Sequence, residues 1–142
     1  MKPVKLKTIS ETFNASADGS YLITGGLGAL GRQAGNWLAD KGAGQVVLVS
    51  RRAPDEATQN FLDQISDSGC QAVVANADFG SPAEVKTLLA RFGNDLLPLK
   101  GVIHAAGVLD DGLIGDQTWE RFEKVLAPVS YTHLTLPTTP YV

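Results

Sequence analysis

The sequence predicts an α/β fold, built as the first half of a doubly wound parallel sheet. Four short apolar runs alternate with four stretches in which apolar residues recur at helical spacing. A glycine-rich turn follows the first apolar run directly, and the connections between elements are short. Because crossovers between parallel strands are right-handed, this alternation predicts four strands in the order 3-2-1-4. No second half is recognisable, so we expect a fragment with an exposed edge strand and poor solubility on its own.

The composition is that of an ordinary globular domain. Of 142 residues, 44% are hydrophobic and 19% are charged, about one domain's worth. The net charge of −3 argues against a nucleic-acid surface, and no apolar run reaches membrane-spanning length. The single cysteine, Cys70, permits no internal disulfide and is interpreted as a core residue. With His133 also isolated, no metal site is predicted, and we expect a cytoplasmic protein.

The first strand and the turn after it contain the main motif. Residues 21–31 read YLITGGLGALG, an apolar run followed by four glycines and a helical pattern. The glycine spacing fits the dinucleotide-binding fingerprint GxGxxG and its short-chain reductase variant, in the strand–turn–helix context that such a motif requires. Backbone without Cβ atoms approaches a pyrophosphate closely, and the helix dipole favours the anion. The predicted cofactor-binding residues of this motif are Thr24, Gly25, Gly26, Leu27, Gly28, Ala29, Leu30 and Gly31.

The next elements alternate as a doubly wound sheet requires. The first helix is predicted to end at Lys41 and Gly42, and residues 45–49 form a continuous apolar strand that is buried on both faces. The second helix opens with Pro54 in its first turn and stops at Gly69. The two helices are predicted to pack apolar side chains inward: Leu27, Leu30, Ala34, Trp37 and Leu38 from the first, and Ala57, Phe61 and Ile65 from the second.

The third and fourth units repeat this pattern. Residues 71–75 and 101–104 are the predicted strands. Ser81 and Glu84 are predicted to form a capping box at the start of the third helix. A fourth helix begins near Thr118, with Trp119, Phe122, Val125 and Leu126 as predicted packing residues. Before the first strand, Val4, Leu6 and Ile9 fit an edge strand or a docking arm, followed by a polar loop over residues 14–19.

The residues after the second strand predict which coenzyme binds. Ligands of doubly wound sheets lie beyond the carboxyl ends of the strands, where this chain has Ser50, Arg51 and Arg52. An acidic residue there would accept hydrogen bonds from a ribose, whereas guanidinium groups hold a 2′-phosphate. The pattern therefore favours NADP(H). The alternative is a pair of solvated arginines at a loop start.

Two further segments reach the same edge of the sheet. After the third strand, Ala77 and Asp78 are candidates for contact with the adenine, although an aspartate that satisfies its own loop backbone is nearly as good an interpretation. After the fourth strand, His104 is followed by Ala105, Ala106 and Gly107. These small residues let the backbone run beside a flat ring. We interpret His104 as a hydrogen-bonded strand-end residue rather than as a general base.

With these motifs, the chain resembles the ketoreductase domain of modular polyketide synthases, a Rossmann-like member of the short-chain dehydrogenase/reductases. The matching stretches are residues 21–31, 47–52, 101–111 and 119–128. The resemblance implies NADPH-dependent reduction of a β-ketoacyl group that an acyl carrier protein holds as a thioester on its pantetheine arm. It also implies neighbouring synthase domains as partners.

The stretch Leu109, Asp110 and Asp111 resembles a fingerprint that is linked, in these domains, with one stereochemical outcome at the new hydroxyl, the B type. In the family, this loop flanks the groove through which a pantetheine arm enters. The resemblance therefore implies a role in substrate orientation. The alternative is a polar turn before Gly112.

The resemblance ends after Pro128. The family continues with a catalytic lysine where this chain has Val129, and the family's serine, tyrosine and asparagine have no counterpart here. Residues 129–142 are rich in threonine and proline, show no helical period and resemble a translated sequencing adapter, so Tyr131 is not taken as the catalytic tyrosine. We expect a linker over residues 1–19, an NADP-binding portion over 20–128 and a non-native tail, with no catalytic residue present.

Two other functions stay open at this stage. One is a different short-chain dehydrogenase/reductase or epimerase with the same first half. The other is a non-catalytic, reductase-like structural subdomain, against which the intact glycine motif argues.

Overall fold

One parallel sheet organises the chain. The computed structural model describes residues 13–135, with side chains up to residue 130, so the predicted arm at Val4, Leu6 and Ile9 lies outside the described residues. The strands are β1 (Ser20–Thr24), β2 (Gln45–Ser50), β3 (Gln71–Asn76) and β4 (Leu99–His104). They pair in parallel in the order β3-β2-β1-β4, which confirms the predicted fold class and strand order.

Helices cover both faces of the sheet. They are α1 (Ala29–Asp40), α2 (Glu56–Asp67), α3 (Pro82–Leu89) and α4 (Trp119–Thr135), with a single 3₁₀ turn at Ile114–Asp116. Alternate residues of β1 and β2 enter two separate apolar cores. One core joins the sheet to α1 and α2 and contains Cys70, and the other joins it to α3. Burial on both faces explains the continuous apolar run of β2.

Buried polar side chains fix the amino ends of the strands. Gln45 is 2% exposed, and its Oε1 accepts hydrogen bonds from the Ser20 hydroxyl at 2.7 Å and the Leu97 backbone N–H at 3.0 Å. Its Nε2 donates to Oε1 of Gln71 at 2.7 Å. Since all these groups are paired, their burial carries little desolvation cost and sets the register of β1, β2 and β3.

The predicted first turn of the second helix and the predicted capping box of the third need correction. Pro54 precedes the first turn of α2, because Asp55 is the N-cap and its Oδ1 accepts the Thr58 N–H at 2.8 Å. Ser81 is the N-cap of α3, but its side chain makes no capping bond, so the predicted capping box is wrong. The Glu84 carboxylate instead accepts the backbone N–H of Asp78 at 2.8 Å, which stabilises the loop before the helix.

Several predicted core residues lie at the surface. Leu30 is 65% exposed, and Trp37, at 44%, stacks on Phe13 with the ring centroids 5.1 Å apart instead of entering the core. On α4, Trp119 and Phe122 are also exposed, as is Leu126. The apolar stripe of α4 stays open because α4 packs chiefly against α3.

The fourth helix is longer than the sequence pattern indicates. It runs through Pro128 to Thr135, although the residues after Pro128 have no helical period. Extending an established helix costs far less than starting one, so weak helix formers can follow a stable beginning. The origin of residues 129–142 stays a prediction, and residues 136–142 lie outside the described residues.

The packing at Gly31 predicts a clear effect on stability. A Cβ atom there would lie 2.6 Å from Cα of Gly26 and 2.8 Å from its carbonyl carbon, and backbone atoms cannot move aside cheaply. We expect Gly31→Ala to lower the free energy of unfolding by about 2–3 kcal/mol in chemical denaturation. Gly115→Ala is the matched control, since its Cβ would meet no atom within 4 Å, and its effect should stay within about 0.5 kcal/mol. Equal effects of the two substitutions would contradict this packing.

Candidate functional site

A groove of about 940 Å³ lies at the carboxyl edge of the sheet. The segments that follow each of the four strands line it, together with part of α4. Its volume is in the range of small-molecule and cofactor sites. The groove therefore occupies the position where doubly wound sheets bind ligands.

The first wall of the groove is the glycine turn (residues 25–28), which close backbone contacts hold in place. Gly25 has φ +65°, and a Cβ atom there would lie 2.7 Å from the carbonyl oxygen of Ala105. At Gly26 a Cβ would lie 2.7 Å from Cα of Leu48. Side chains at either position would push the turn away from the sheet. The turn thus lies directly on β2 and on the segment after β4.

The first helix begins at this turn with no side-chain cap. Its N-cap is Gly28, whose N–H donates to the Gly25 carbonyl at 3.0 Å. Because glycine offers no capping oxygen, the N–H groups of the first turn are left for solvent or a ligand. The positive end of the α1 dipole therefore borders the groove and favours an anion.

Thr24 joins the carboxyl ends of β1 and β4. It is fully buried, and its Oγ1 lies 2.6 Å from Nδ1 of His104, with which it shares a hydrogen bond. The same oxygen accepts the Ala106 N–H at 3.2 Å, and the Thr24 carbonyl accepts the Ala105 N–H at 3.1 Å. His104 is therefore a hydrogen-bonded strand-end residue, as interpreted from the sequence. These bonds hold the small-residue loop (residues 105–107) beside the glycine turn.

Positive charge collects on the side of the groove after β2. Arg51 and Arg52 are exposed and line the groove in the arginine loop (residues 51–55). The Ser50 hydroxyl accepts the Arg52 backbone N–H at 3.1 Å and shapes the start of this loop. Arg32 and Lys124 add two further cationic side chains to the lining.

Asp78 occupies the groove but is engaged with its own loop. Its Oδ1 accepts the Gly80 N–H at 2.8 Å, while its backbone N–H is bound by Glu84. One carboxylate oxygen of Asp78 thus satisfies its own loop backbone, which is one of the two interpretations drawn from the sequence. Ala77, next to it, is buried and also lines the groove.

Most of the sequence-predicted cofactor residues come together. Those in the lining are Thr24, Gly25, Leu27, Gly28, Ser50, Arg51, Arg52, Ala77, Asp78, Ala105, Ala106 and Gly107. Those outside it are Gly26, Ala29, Leu30, Gly31 and His104. Gly26, Gly31 and His104 support the lining from behind, whereas Leu30 points to solvent.

Sequence reasoning missed eleven lining residues. They are Arg32, Val49, Ala53, Asp55, Thr58, Phe79, Gly80, Val108, Lys124, Ala127 and Pro128. Arg32 stands directly after the glycine motif, so a helical projection of the first turn could have found it. Lys124 and its α4 neighbours enter only through the tertiary placement of that helix, which no local pattern records.

The predicted substrate residues Leu109, Asp110 and Asp111 lie outside the lining. Of the three, Asp110 belongs to an ion-pair cluster with Arg121 and Lys124. Arg121 donates to Oδ1 of Asp110 through Nε at 2.9 Å and Nη2 at 2.5 Å, and Lys124 donates to Oδ2 at 3.2 Å. Arg121 also binds the carbonyls of Asp111 and Asp116. The cluster fastens this loop to α4. Its hydrogen bonds, chiefly those from Arg121, hold the pKa of Asp110 below its usual 3.8.

The described residues, 13–135, contain neither a metal-binding cluster nor a membrane-spanning helix. No group of three or more His, Cys, Asp or Glu side chains is placed to hold a metal ion. No helix among the described residues is long and apolar enough to cross a bilayer.

Comparison with known proteins places this architecture in a family context. The KR domain family model matches residues 19–138. The chain is 38% identical over 129 residues to a 6-methylsalicylic acid synthase of Arthrobotrys oligospora, covering 83% of this chain and 7% of that protein. It is 39% identical over 123 residues to polyketide synthase GfsA of Streptomyces halstedii, covering 84% and 2%. The chain thus spans a small fraction of these relatives.

Solved structures give the same result. The chain superposes on a ketoreductase domain from the bacillaene assembly line with a TM-score of 0.81 and 31% identity, covering 91% of this chain and 31% of that one. An N-terminal ketoreductase from the macrolactin assembly line gives a TM-score of 0.79 and 29% identity, covering 87% and 25%.

The Asp110 cluster makes a prediction about proton binding. Since its folded-state pKa is lowered, Asp110 contributes stability above about pH 3.8 that is lost as the pH falls through the lower folded value. In a carboxyl-carbon NMR titration we expect Asp110 to titrate below 3.8 and to move up towards that value in Arg121→Leu. Asp95, whose pKa is lowered by Arg91, is the internal control and should keep its midpoint. An unchanged Asp110 midpoint in the variant would refute the pairing.

Proposed function

Because this chain belongs to the KR domain family of polyketide synthases, an oxidoreductase family, we propose that it is the cofactor-binding half of a ketoreductase domain and that its groove binds NADP(H). In the parent protein this domain reduces a β-ketoacyl thioester, carried by the pantetheine arm of an acyl carrier protein, to the β-hydroxyacyl form. Neighbouring synthase domains are the further partners.

One observation carries the proposal: the glycine turn borders the uncapped start of α1 with no room for a Cβ atom at Gly25 or Gly26. A diphosphate needs close approach of backbone N–H groups and a positive potential, and this turn offers both. The fit depends on backbone shape and not on one replaceable side chain. In a plain surface turn, added Cβ atoms would have room. Here a Cβ at Gly25 or at Gly26 would lie less than 3 Å from neighbouring backbone atoms.

The arginine loop supports the phosphorylated coenzyme. Arg51 and Arg52 line the groove directly after β2, where an acidic residue would favour an unphosphorylated ribose. Guanidinium groups bind phosphate oxygens in charge-assisted, bidentate pairs. These two side chains therefore fit a 2′-phosphate on the adenosine ribose.

The small-residue loop fits the other end of the coenzyme. Ala105, Ala106 and Gly107 present little side chain to the groove, and a Cβ at Gly107 would meet no atom within 4 Å. A flat nicotinamide ring has room beside such backbone. When bound, NADPH supplies the hydride that reduces a ketone. The task of these residues is to hold and orient the ring.

The loop at Leu109 and Asp111 is proposed to guide the incoming substrate arm. Leu109 is 88% exposed beside the groove, whereas Asp110 is engaged with Arg121 and Lys124. The ion pairs would hold the loop in place while its exposed neighbours contact the substrate arm. The stereochemical outcome would follow from that contact.

Titration with both coenzymes tests the proposal. We expect the chain to bind NADPH more tightly than NADH in a fluorescence titration. Arg51→Ala and Arg52→Ala should each weaken NADPH binding about ten- to hundredfold, because each removes a charged phosphate contact, and should leave NADH binding nearly unchanged. Arg91→Ala is the control, since Arg91 is half-buried, is paired with Asp95 at 2.7 Å and lies outside the groove. No binding of either coenzyme would overturn the proposal.

We also expect this chain not to reduce ketones. Among residues 13–130 no tyrosine lines the groove, and the family resemblance implies a catalytic lysine at the position of Val129. Protonation of the developing alkoxide therefore lacks its donor. Incubation of the purified chain with NADPH and a simple ketone should leave NADPH absorbance constant, and steady turnover would contradict this assignment.

A further inference from the structure

Arg32 bridges two segments that line the groove. Its Nε donates to the Leu27 carbonyl at 3.0 Å, within the glycine turn. Its Nη2 donates to Oγ1 of Thr58 at 2.9 Å, and its Nη1 donates to the Ala57 carbonyl at 3.3 Å. One rigid guanidinium group thus connects the start of α1 with the start of α2.

The α2 end of this bridge is itself firmly held. Thr58 is 2% exposed, and its Oγ1 donates to Oδ1 of Asp55 at 2.5 Å. The same carboxylate oxygen accepts the Thr58 N–H and lies 3.9 Å from Nη2 of Arg32. Asp55 closes the arginine loop, since it is the last residue before α2. Arg32 therefore reaches the loop that carries Arg51 and Arg52 through its fixed end.

Packing fixes the guanidinium group as well. Its central carbon lies 5.5 Å from the ring centroid of Phe61, which is 6% exposed. A cation over an aromatic face gains a favourable interaction, and the ring limits the rotamers open to the arginine. The bridge is therefore part of the packed interface between α1 and α2.

We propose that Arg32 is a positioning residue that fixes the spacing between the diphosphate-binding glycine turn and the 2′-phosphate-binding arginine loop. This inference rests on the proposed function and deepens it, since it names the residue that allows both subsites to bind the same ligand molecule. Arg32 lines the groove, but its proposed role is exerted through its hydrogen bonds to Leu27 and Thr58. It thereby sets the preference for NADPH over NADH.

The physical reason is that NADPH must occupy both subsites at once. Occupation of one subsite raises the effective concentration of the second phosphate only when the spacing matches the ligand. Of these two subsites NADH uses only the glycine turn, and 2′-AMP supplies only the 2′-phosphate group to the arginine loop. If the spacing between the two subsites is lost, the affinity for NADPH therefore falls far more than the affinity for NADH or for 2′-AMP.

Arg32→Lys and Arg32→Ala test this in the full chain by titration with NADPH, NADH and 2′-AMP. Lysine keeps the positive charge but lacks the planar fork that reaches Leu27 and Thr58 together. We expect both variants to weaken NADPH binding about tenfold, while NADH and 2′-AMP affinities change less than about twofold. Unchanged NADH binding also shows that the variants are folded. Thr58→Val removes the acceptor oxygen. In the unmutated chain it should cause part of the loss of NADPH affinity, and in the Arg32→Lys variant it should cause little further loss.

Each other outcome separates the two claims. If the unmutated chain binds no coenzyme, the proposed function fails. If it prefers NADPH and the Arg32 variants keep that preference, only the bridge is refuted. A parallel loss of 2′-AMP binding in Arg32→Ala but not in Arg32→Lys would make Arg32 a direct phosphate ligand and would also refute the positioning role.

Discussion

The groove depends on close contact between three pieces of backbone. The turn after β1 lies on β2 at Gly26 and on the segment after β4 at Gly25, and the first turn of α1 packs behind it at Gly31. No side chain separates these pieces, so the turn is held by contacts that leave no room for a Cβ atom. The direction of α1 follows from this packing. The amino end of α1, which has no side-chain cap and carries the positive end of the helix dipole, therefore faces the groove.

Hydrogen bonds extend this arrangement around the groove. Thr24 links the ends of β1 and β4, and Arg32 links the glycine turn to the start of α2. Asp110 and Arg121 fasten the loop after β4 to α4. The first two links join elements that are far apart in sequence, so the glycine turn, the arginine loop and the segment after β4 are held together as one wall. The backbone that carries Arg51 and Arg52 is thereby held relative to the N–H groups of the glycine turn, as the proposed choice between two coenzymes requires.

The fold and the centre of the groove could be predicted because their signals are local. A strand, four glycines and a helix in sequence place the turn, and the alternation of elements gives the strand order without any knowledge of packing. Long-range packing decided the features that were missed. Trp37 stacks on Phe13 instead of entering the core, Glu84 turns to Asp78 instead of capping α3, and α4 keeps its apolar stripe exposed. The bridge from Arg32 escaped prediction for the same reason, since its partner Thr58 is 26 positions away.

Amide NMR mapping tests the central claim most directly, namely that backbone holds the diphosphate while the arginine loop reads the 2′-phosphate. A ¹⁵N-labelled chain would be titrated with NADPH and, separately, with NADH. We expect both coenzymes to shift the amides of residues 25–31 and 105–107, and NADPH alone to shift those of residues 50–53. Shifts that avoid residues 25–31, or equal shifts of residues 50–53 by both coenzymes, would contradict the account.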